Sequence, residues 1–169
     1  MQKDQIISQL TSHTETIRSL AAGISPEQAR WKPSPDQWSI LEVLCHLHDE
    51  EVEDFRTHLD FILHPNGQPW PRIDPQGWVT QRQYNQRDLT QTLDAFLKER
   101  QISLQWLAGL MDPDWDAVYQ LPFGPLTAGD MANSWVGHDL LHCRQLVELH
   151  WAHASRIADP YKLDYAGEW

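Results

Sequence analysis

The stretch from Thr127 to His153 reads TAGDMANSWVGHDLLHCRQLVELHWAH and predicts one long helix. Thr127 and Asp130 have the spacing of a capping box, a motif that begins helices. No proline interrupts the residues that follow. At about 1.5 Å per residue, the helix would be roughly 40 Å long. Such a helix spans a small domain, so the other helices are expected to pack around it.

One seam along this helix has alternating spacings of four and three residues, as expected for positions that face a bundle core. Three consecutive seam positions are polar: His138, His142 and Gln145. His138 and His142 lie one turn apart, so both imidazoles can share one metal ion. With nine histidines in the chain, such a pair could arise by chance, but its place on the seam favours a metal site. The seam consists of Met131, Trp135, His138, His142, Gln145 and Leu149.

Three further helical patterns precede this one. They span about residues 3–22, residues 40–63 and a segment that begins at Asp88 or Thr90 and ends before Met111. Ser39 and Glu42 have capping-box spacing at the start of the second. Four helical patterns with few strand signals predict an all-α four-helix bundle with two long inter-helix connections, which follow the second and third helices.

We expect residues 1–169 to form a single domain with an irregular C-terminal tail from about residue 156 to 169. The tail contains Tyr161, Tyr165 and Trp169, which suggests that it docks on another surface. In the second long connection, the sequence suggests a short extended hairpin around Phe123-Gly124.

The formal net charge of -11 argues against a nucleic-acid partner, since no basic stripe is available to neutralise phosphates. It also disfavours binding to anionic membranes, and no apolar run is long enough to span a bilayer. The N-terminus lacks the apolar segment of a signal peptide. Only two cysteines are present, Cys45 and Cys143, which favours a reduced, cytoplasmic protein. We interpret both cysteines as small buried fillers.

A third metal ligand is expected from the second helix, which contains LEVLCHLHDEEVED. Helical periodicity does not decide whether His46 or His48 is the third ligand, because each lies on a side of the helix that also carries apolar residues. We interpret the acidic residues Glu50, Glu53 and Asp54 as a solvated face. The chain contains no HExxH and no ExxH motif, which argues against a zincin site and a ferritin-type di-iron site.

Two stretches resemble the signatures of the DinB/YfiT-like superfamily. The first signature matches WKPSPDQWSILEVLCHLHDEE at the tryptophan-serine pair before a helix and at the following His-Leu, Asp and Glu. The second signature matches GHDLLHCRQL at its two histidines and its glutamine. Arg100 in FLKER also resembles a recurring position on the third helix. The matching positions are Trp38, Ser39, His46, Leu47, Asp49, Glu51, His138, His142 and Gln145.

The resemblance implies a four-helix bundle, often a homodimer, with a metal site of three histidines. Carried over to this chain, the ligands are His46, His138 and His142, which decides against His48. Imidazoles suit zinc, nickel, copper and iron, and we expect zinc or nickel. Three neutral imidazoles leave a coordination position open, as in catalytic sites.

The resemblance further implies a metal-dependent S-transferase, in which a low-molecular-weight thiol attacks a small electrophilic substrate. Gln145 would support a ligand or orient the substrate, while Asp49 and Glu51 are candidates for orienting a ligand or for acid-base chemistry, with structural ion pairing as the alternative. A metal-dependent hydrolase that uses bound water, with Asp49, Glu50 or Glu51 as base, is the second interpretation. A non-catalytic stress-response or binding protein is the third. We expect the Trp70, Trp78, Trp115 and Phe123 loops to wall the pocket, and Trp135 to lie in the core.

Overall fold

The fold was obtained as a computed structural model that describes residues 3–122 and 124–167. Four long helical segments confirm the predicted all-α four-helix bundle. They are α1 (Lys3–Ala21), the segment from α3 (Ile40–Glu50) through a π-helical turn (Glu51–Phe55) into α4 (Arg56–Leu63), α6 (Leu89–Gly109) and α7 (Ala128–Ala158). Short helices α2 (Pro26–Arg30) and α5 (Pro75–Gln81) and 3-10 turns at Tyr84–Gln86 and Asp164–Ala166 occupy the connections and the tail.

Side-chain caps fix where the helices begin. Ser39 and Glu42 form the predicted capping box at α3, and Thr127 and Asp130 form the one at α7. Asp88, one of the two predicted starts of the third long helix, accepts a hydrogen bond from the backbone N–H of Gln91. Each cap satisfies backbone donors that the helix itself leaves unpaired.

The α1 helix packs against α6 and α7, and α3 packs against the same two helices. Two clusters of buried apolar side chains fill the space between them. Trp135 is 1 % exposed in the first cluster, which confirms its predicted place in the core. The buried bulky members are Ile6, Leu10, Phe55, Leu59, Ile62, Leu107, Met131 and Trp135 in the first cluster, and Ile17, Ile40, Val43, Leu44, Leu47, Phe96, Leu146 and Leu149 in the second.

The connection before α7 contains the predicted hairpin, in which β1 (Val118–Leu121) pairs antiparallel with β2 (Gly124–Thr127). Phe123, at the turn of this hairpin, lies outside the described residues. Within the described residues, no helix is long and apolar enough to traverse a lipid bilayer.

The α7 helix continues to Ala158, so the C-terminal tail begins close to the predicted position of about residue 156. Tyr161 and Tyr165 are exposed rather than docked on this chain, and Trp169 lies outside the described residues. Docking of the two tyrosines on the surface of another molecule remains a prediction.

Candidate metal centre

Three histidines from two helices meet between α3 and α7. The Nε2 atom of His138 lies 3.1 Å from Nε2 of His46 and 3.1 Å from Nε2 of His142. One ring nitrogen from each of the three lies within 4.8 Å of the others. We call these residues the histidine cluster; the structure brings together the three residues that the family resemblance implies as ligands.

The imidazoles of the histidine cluster are neutral near pH 7. Burial, and next the positive charge that His142 would carry, lower the pKa of His46 from 6.5 to about 3. Burial and the neighbouring histidines lower the pKa of His138 to about 2. Burial also lowers the pKa of His142. Since only a neutral imidazole has a nitrogen lone pair to share, this environment keeps all three able to bind a metal.

Gln145 fixes the orientation of one of these rings. Its side-chain oxygen Oε1 lies 2.8 Å from Nδ1 of His142 and accepts a hydrogen bond from it. With the proton on Nδ1, the lone pair of His142 is on Nε2, which faces His46 and His138. Hydrogen bonds to the outer nitrogen of a histidine commonly set the tautomer of metal ligands in this way.

The cluster fits a single metal ion. Metal–nitrogen bonds of about 2.0–2.1 Å at a tetrahedral angle place two ligand nitrogens about 3.3 Å apart, close to the observed 3.1 Å separations. Neutral imidazoles can form an N–H···N hydrogen bond, but one proton on Nε2 of His138 points at only one of its two neighbours. A cation shared by all three nitrogens satisfies both contacts, so a divalent cation is the better fit.

Glu50 is the carboxylate closest to this centre. It lies one turn after His46, with Oε1 3.9 Å from Nδ1 of His46 and Oε2 3.9 Å from Nε2 of His138. Only 4 % of the residue is exposed, so its interpretation as part of a solvated acidic face is wrong. Of that group, Glu53 is partly exposed and pairs with Arg82, and Asp54 pairs with His58.

Burial, and next the nearby carboxylate of Asp54, raise the pKa of Glu50 to about 9. A divalent cation on the histidine cluster would oppose this shift, because a nearby opposite charge favours the ionised carboxylate.

Asp49 and Glu51, the two acidic residues singled out from the sequence, point away from the cluster. Asp49 accepts hydrogen bonds from Tyr84 at 2.6 Å and from Arg82 at 2.7 Å. These bonds, together with one from His48, outweigh the effect of burial and lower the pKa of Asp49 to about 2. His48 is thereby engaged by Asp49 and lies outside the histidine cluster.

Glu51 is buried among core side chains and accepts hydrogen bonds from Arg100 and Trp135. The structure therefore supports structural ion pairing for Glu51 and for Asp49, the alternative that the sequence left open. Cys45 is a fully buried filler, as expected, and Cys143 is partly buried.

A cavity of about 670 Å³ opens onto the histidine cluster. This volume suits a small organic molecule. Trp38 forms part of its wall: its ring centroid lies 4.9 Å from that of His46, and its plane is parallel to the ring of His142 at 6.4 Å. The other side chains that line the cavity belong to Pro33, Asp36, Gln37, Glu50, Pro75, Gln76, Gln145, Glu148, Leu149 and Ala152.

Of the loops expected to wall this cavity, the one that leads to Trp78 lines it through Pro75 and Gln76, while the tryptophan side chains pack elsewhere. Trp70 stacks on His58 at 4.2 Å, Trp115 packs against the first core cluster, and Trp78 is buried beneath the guanidinium of Arg82. Phe123 lies outside the described residues. None of these three tryptophan side chains lines the cavity; the tryptophan in its wall is Trp38, whose backbone leads into the capping box of α3.

Comparison with known proteins identifies the family and supports the fold of this chain. A sequence model of the DinB superfamily matches residues 9–146. The chain belongs to the DinB superfamily. Among solved structures, this DinB superfamily protein is similar to YfiT from Bacillus subtilis, described as "a probable metal-dependent hydrolase with an unusual four-helix bundle topology". The two share 17 % identity and a TM-score of 0.78, over 90 % of this chain and 88 % of YfiT. At this identity the likeness establishes the fold alone. No curated protein matches the chain by sequence.

Proposed function

We propose that this protein holds a divalent metal ion, zinc or nickel, on His46, His138 and His142 and uses it to activate a nucleophile against a small-molecule substrate. The observation that carries the proposal is the convergence of three neutral imidazole nitrogens beside an open cavity. When bound, such an ion acts as a Lewis acid that makes a water or a thiol nucleophilic near neutral pH. Gln145 supports the site by holding the tautomer of His142.

The position of Glu50 fits hydrolysis, in which water is the nucleophile. Its Oε2 atom lies beside the histidine nitrogens without belonging to their cluster, so it is placed to accept the proton that an attacking water loses. General-base catalysis of this kind contributes typically about 10²–10⁴-fold to a rate.

The second candidate is the thiol-dependent S-transferase that the family resemblance implies. A cavity of about 670 Å³ has room for a small thiol together with a small electrophile. In that reaction Glu50 would take the proton of the thiol. The two candidates differ in the nucleophile, and the histidine cluster serves both.

Turnover with and without thiol separates these candidates. We expect zinc- or nickel-loaded protein to hydrolyse p-nitrophenyl acetate without thiol, and a Glu50→Gln variant to lose about 10²–10⁴-fold in kcat while it retains the metal. The matched control is Glu53→Gln, which removes a partly exposed carboxylate from the same helix. Conjugation of monochlorobimane with 2-mercaptoethanol, in protein without esterase activity, would instead support the transferase. Absence of both activities from protein that binds metal would support the non-catalytic interpretation.

The homodimer remains a prediction from the resemblance, and the cytoplasmic location remains one from the cysteine usage. Light scattering of the purified protein at several concentrations tests the first. Cell fractionation tests the second.

A further inference from the structure

The cavity above the histidine cluster is lined by side chains of one charge sign. Asp36, Glu50 and Glu148 contribute carboxyl groups, and none of the described residues that line it is Lys or Arg. Cationic side chains near this wall are engaged by carboxylates: Nε of Arg144 lies 3.2 Å from Oε1 of Glu148, and Nζ of Lys32 lies 3.2 Å from Oε2 of Glu42. Among the described residues that line the cavity, an anionic substituent on a substrate would find no cationic partner besides the metal ion, and the reacting group needs that position.

Glu50 provides an independent indication that something polar binds in this cavity. The residue is 4 % exposed and lines the cavity, and its Oε1 atom has no hydrogen-bond partner in the described part of the chain. Leaving a buried carboxylate oxygen unpaired is costly. A hydrogen-bond donor at the end of a bound molecule that reaches the histidine cluster would remove that cost.

The outer part of the cavity also carries groups that can bind a cation. The Arg144–Glu148 pair lies on the surface, with Arg144 70 % and Glu148 44 % exposed. Solvent weakens an exposed pair of this kind, so Glu148 can exchange its partner at little cost. Trp38 offers an aromatic face, which attracts cations.

We infer that this cavity selects small molecules that carry an ammonium or similar cationic group and rejects those that carry a carboxylate or phosphate. The cationic group lies toward Asp36, Glu148 and Trp38, and the reacting group lies at the histidine cluster. The position of the reacting group at the histidine cluster rests on the proposed function, whereas the selection by charge does not. The net charge of -11 acts in the same direction, because it draws cations toward the protein and repels anions.

Three thiols of similar size test the selection in cobalt-loaded protein: cysteamine, which is cationic, 2-mercaptoethanol, which is neutral, and 3-mercaptopropionate, which is anionic. Their binding is measured from the sulfur-to-cobalt absorption band at low ionic strength. We expect cysteamine to bind about tenfold more tightly than 3-mercaptopropionate, with 2-mercaptoethanol between them. An Asp36→Asn/Glu148→Gln variant should lower that ratio at least threefold. The control, Glu15→Gln/Asp94→Asn, removes the same charge from exposed positions outside the cavity and should leave the ratio unchanged.

A second measurement uses metal-free protein, so that failure of the metal site can be recognised. Ligand-observed NMR compares phenethylammonium with 3-phenylpropionate. A preference for the cation that is lost in Asp36→Asn/Glu148→Gln and kept in the control supports the charge selection. If that preference is found but no thiol binds the cobalt-loaded protein, the metal site is contradicted and the charge selection is not. Equal binding of both ions, preference for the anion, or equal loss of selectivity in the control variant would overturn the inference.

Discussion

Arg100 donates two parallel hydrogen bonds to Asp139, the residue that directly follows His138. Its Nη1 lies 2.6 Å from Oδ2 of Asp139 and its Nη2 lies 2.8 Å from Oδ1. Its Nε also lies 2.6 Å from Oε1 of Glu51, the residue after Glu50. All three charged groups are 1 % exposed or less. The Arg100 side chain of α6 therefore connects the two helices that form the site. It binds each helix at the residue that follows a site residue, Glu50 on one and His138 on the other.

The first prediction concerns this buried network. Arg100→Met should lower the free energy of unfolding by about 3–5 kcal/mol, because it leaves the carboxylates of Asp139 and Glu51 buried without a cation. Urea denaturation of the metal-free protein measures the loss. Adding Glu51→Gln and Asp139→Asn to the Met variant removes the unpaired charges and should recover part of it. No recovery would show that packing of the guanidinium, rather than charge, dominates.

The second prediction decides between the two histidines of α3. His46→Ala should lose most of the bound metal, because only two ring nitrogens of the cluster would remain. His48→Ala should keep it, because His48 contacts Asp49 instead. Elemental analysis after loading and desalting measures both variants. Equal metal content in the two would contradict the assignment of His46.

The third prediction tests the role of Gln145. Gln145→Ala removes the acceptor at Nδ1 of His142, so metal affinity should fall about 10–100-fold, as for other residues that orient a ligand. Gln145→Glu keeps an oxygen at the same place and should lose less. Competition with a chromophoric chelator measures the affinities. A smaller loss for the Ala variant than for the Glu variant would exclude the orienting role.

The fourth prediction is a pH dependence of stability in the metal-free protein. The folded state holds the pKa of His46 near 3 and that of His138 near 2, against 6.5 for an unperturbed histidine. As the pH falls from 6.5 toward 3, the unfolded chain binds protons at these two sites and the folded protein does not, so stability decreases. Each histidine contributes up to about 1.4 kcal/mol per pH unit in that range.

Urea denaturation at pH 7, 6 and 5 measures this slope, with a His46→Gln/His138→Gln variant as the control. The variant should show a shallower slope, because glutamine does not titrate. Identical slopes in the two proteins would contradict the prediction.

The helices and the histidine cluster were accessible to sequence reasoning for a physical reason. Capping boxes at Ser39 and Thr127 are local, since each involves residues only three positions apart. The pairing of His138 with His142 follows from helical geometry in the same way. The choice of His46 over His48 depends on how α3 rotates against α7, which is a tertiary property, and only the family resemblance supplied it.

Glu50 and Trp38 show where local reasoning was insufficient. Glu50 lies one turn after His46, so helical spacing alone places the two on the same side of α3. The acidic residues around it indicated a solvated face instead, because such residues are more often exposed than buried. The tryptophans of the loops could not be placed from sequence, because a loop can fold toward either side of the bundle. Trp70 and Trp78 found partners in His58 and Arg82 that no local pattern indicates.

The π-helical turn Glu51–Phe55 divides the second long helix into two independently phased halves. A turn of this kind holds one residue more than an α-helical turn. Deleting a single residue such as Val52 would restore ordinary α-helical winding and rotate one half relative to the other by about 100°. His46 and Phe55, which now belong to the metal centre and to the first core cluster, could then not both keep their neighbours. The extra residue allows one continuous helix to contribute to the histidine cluster near its beginning and to the apolar core farther along.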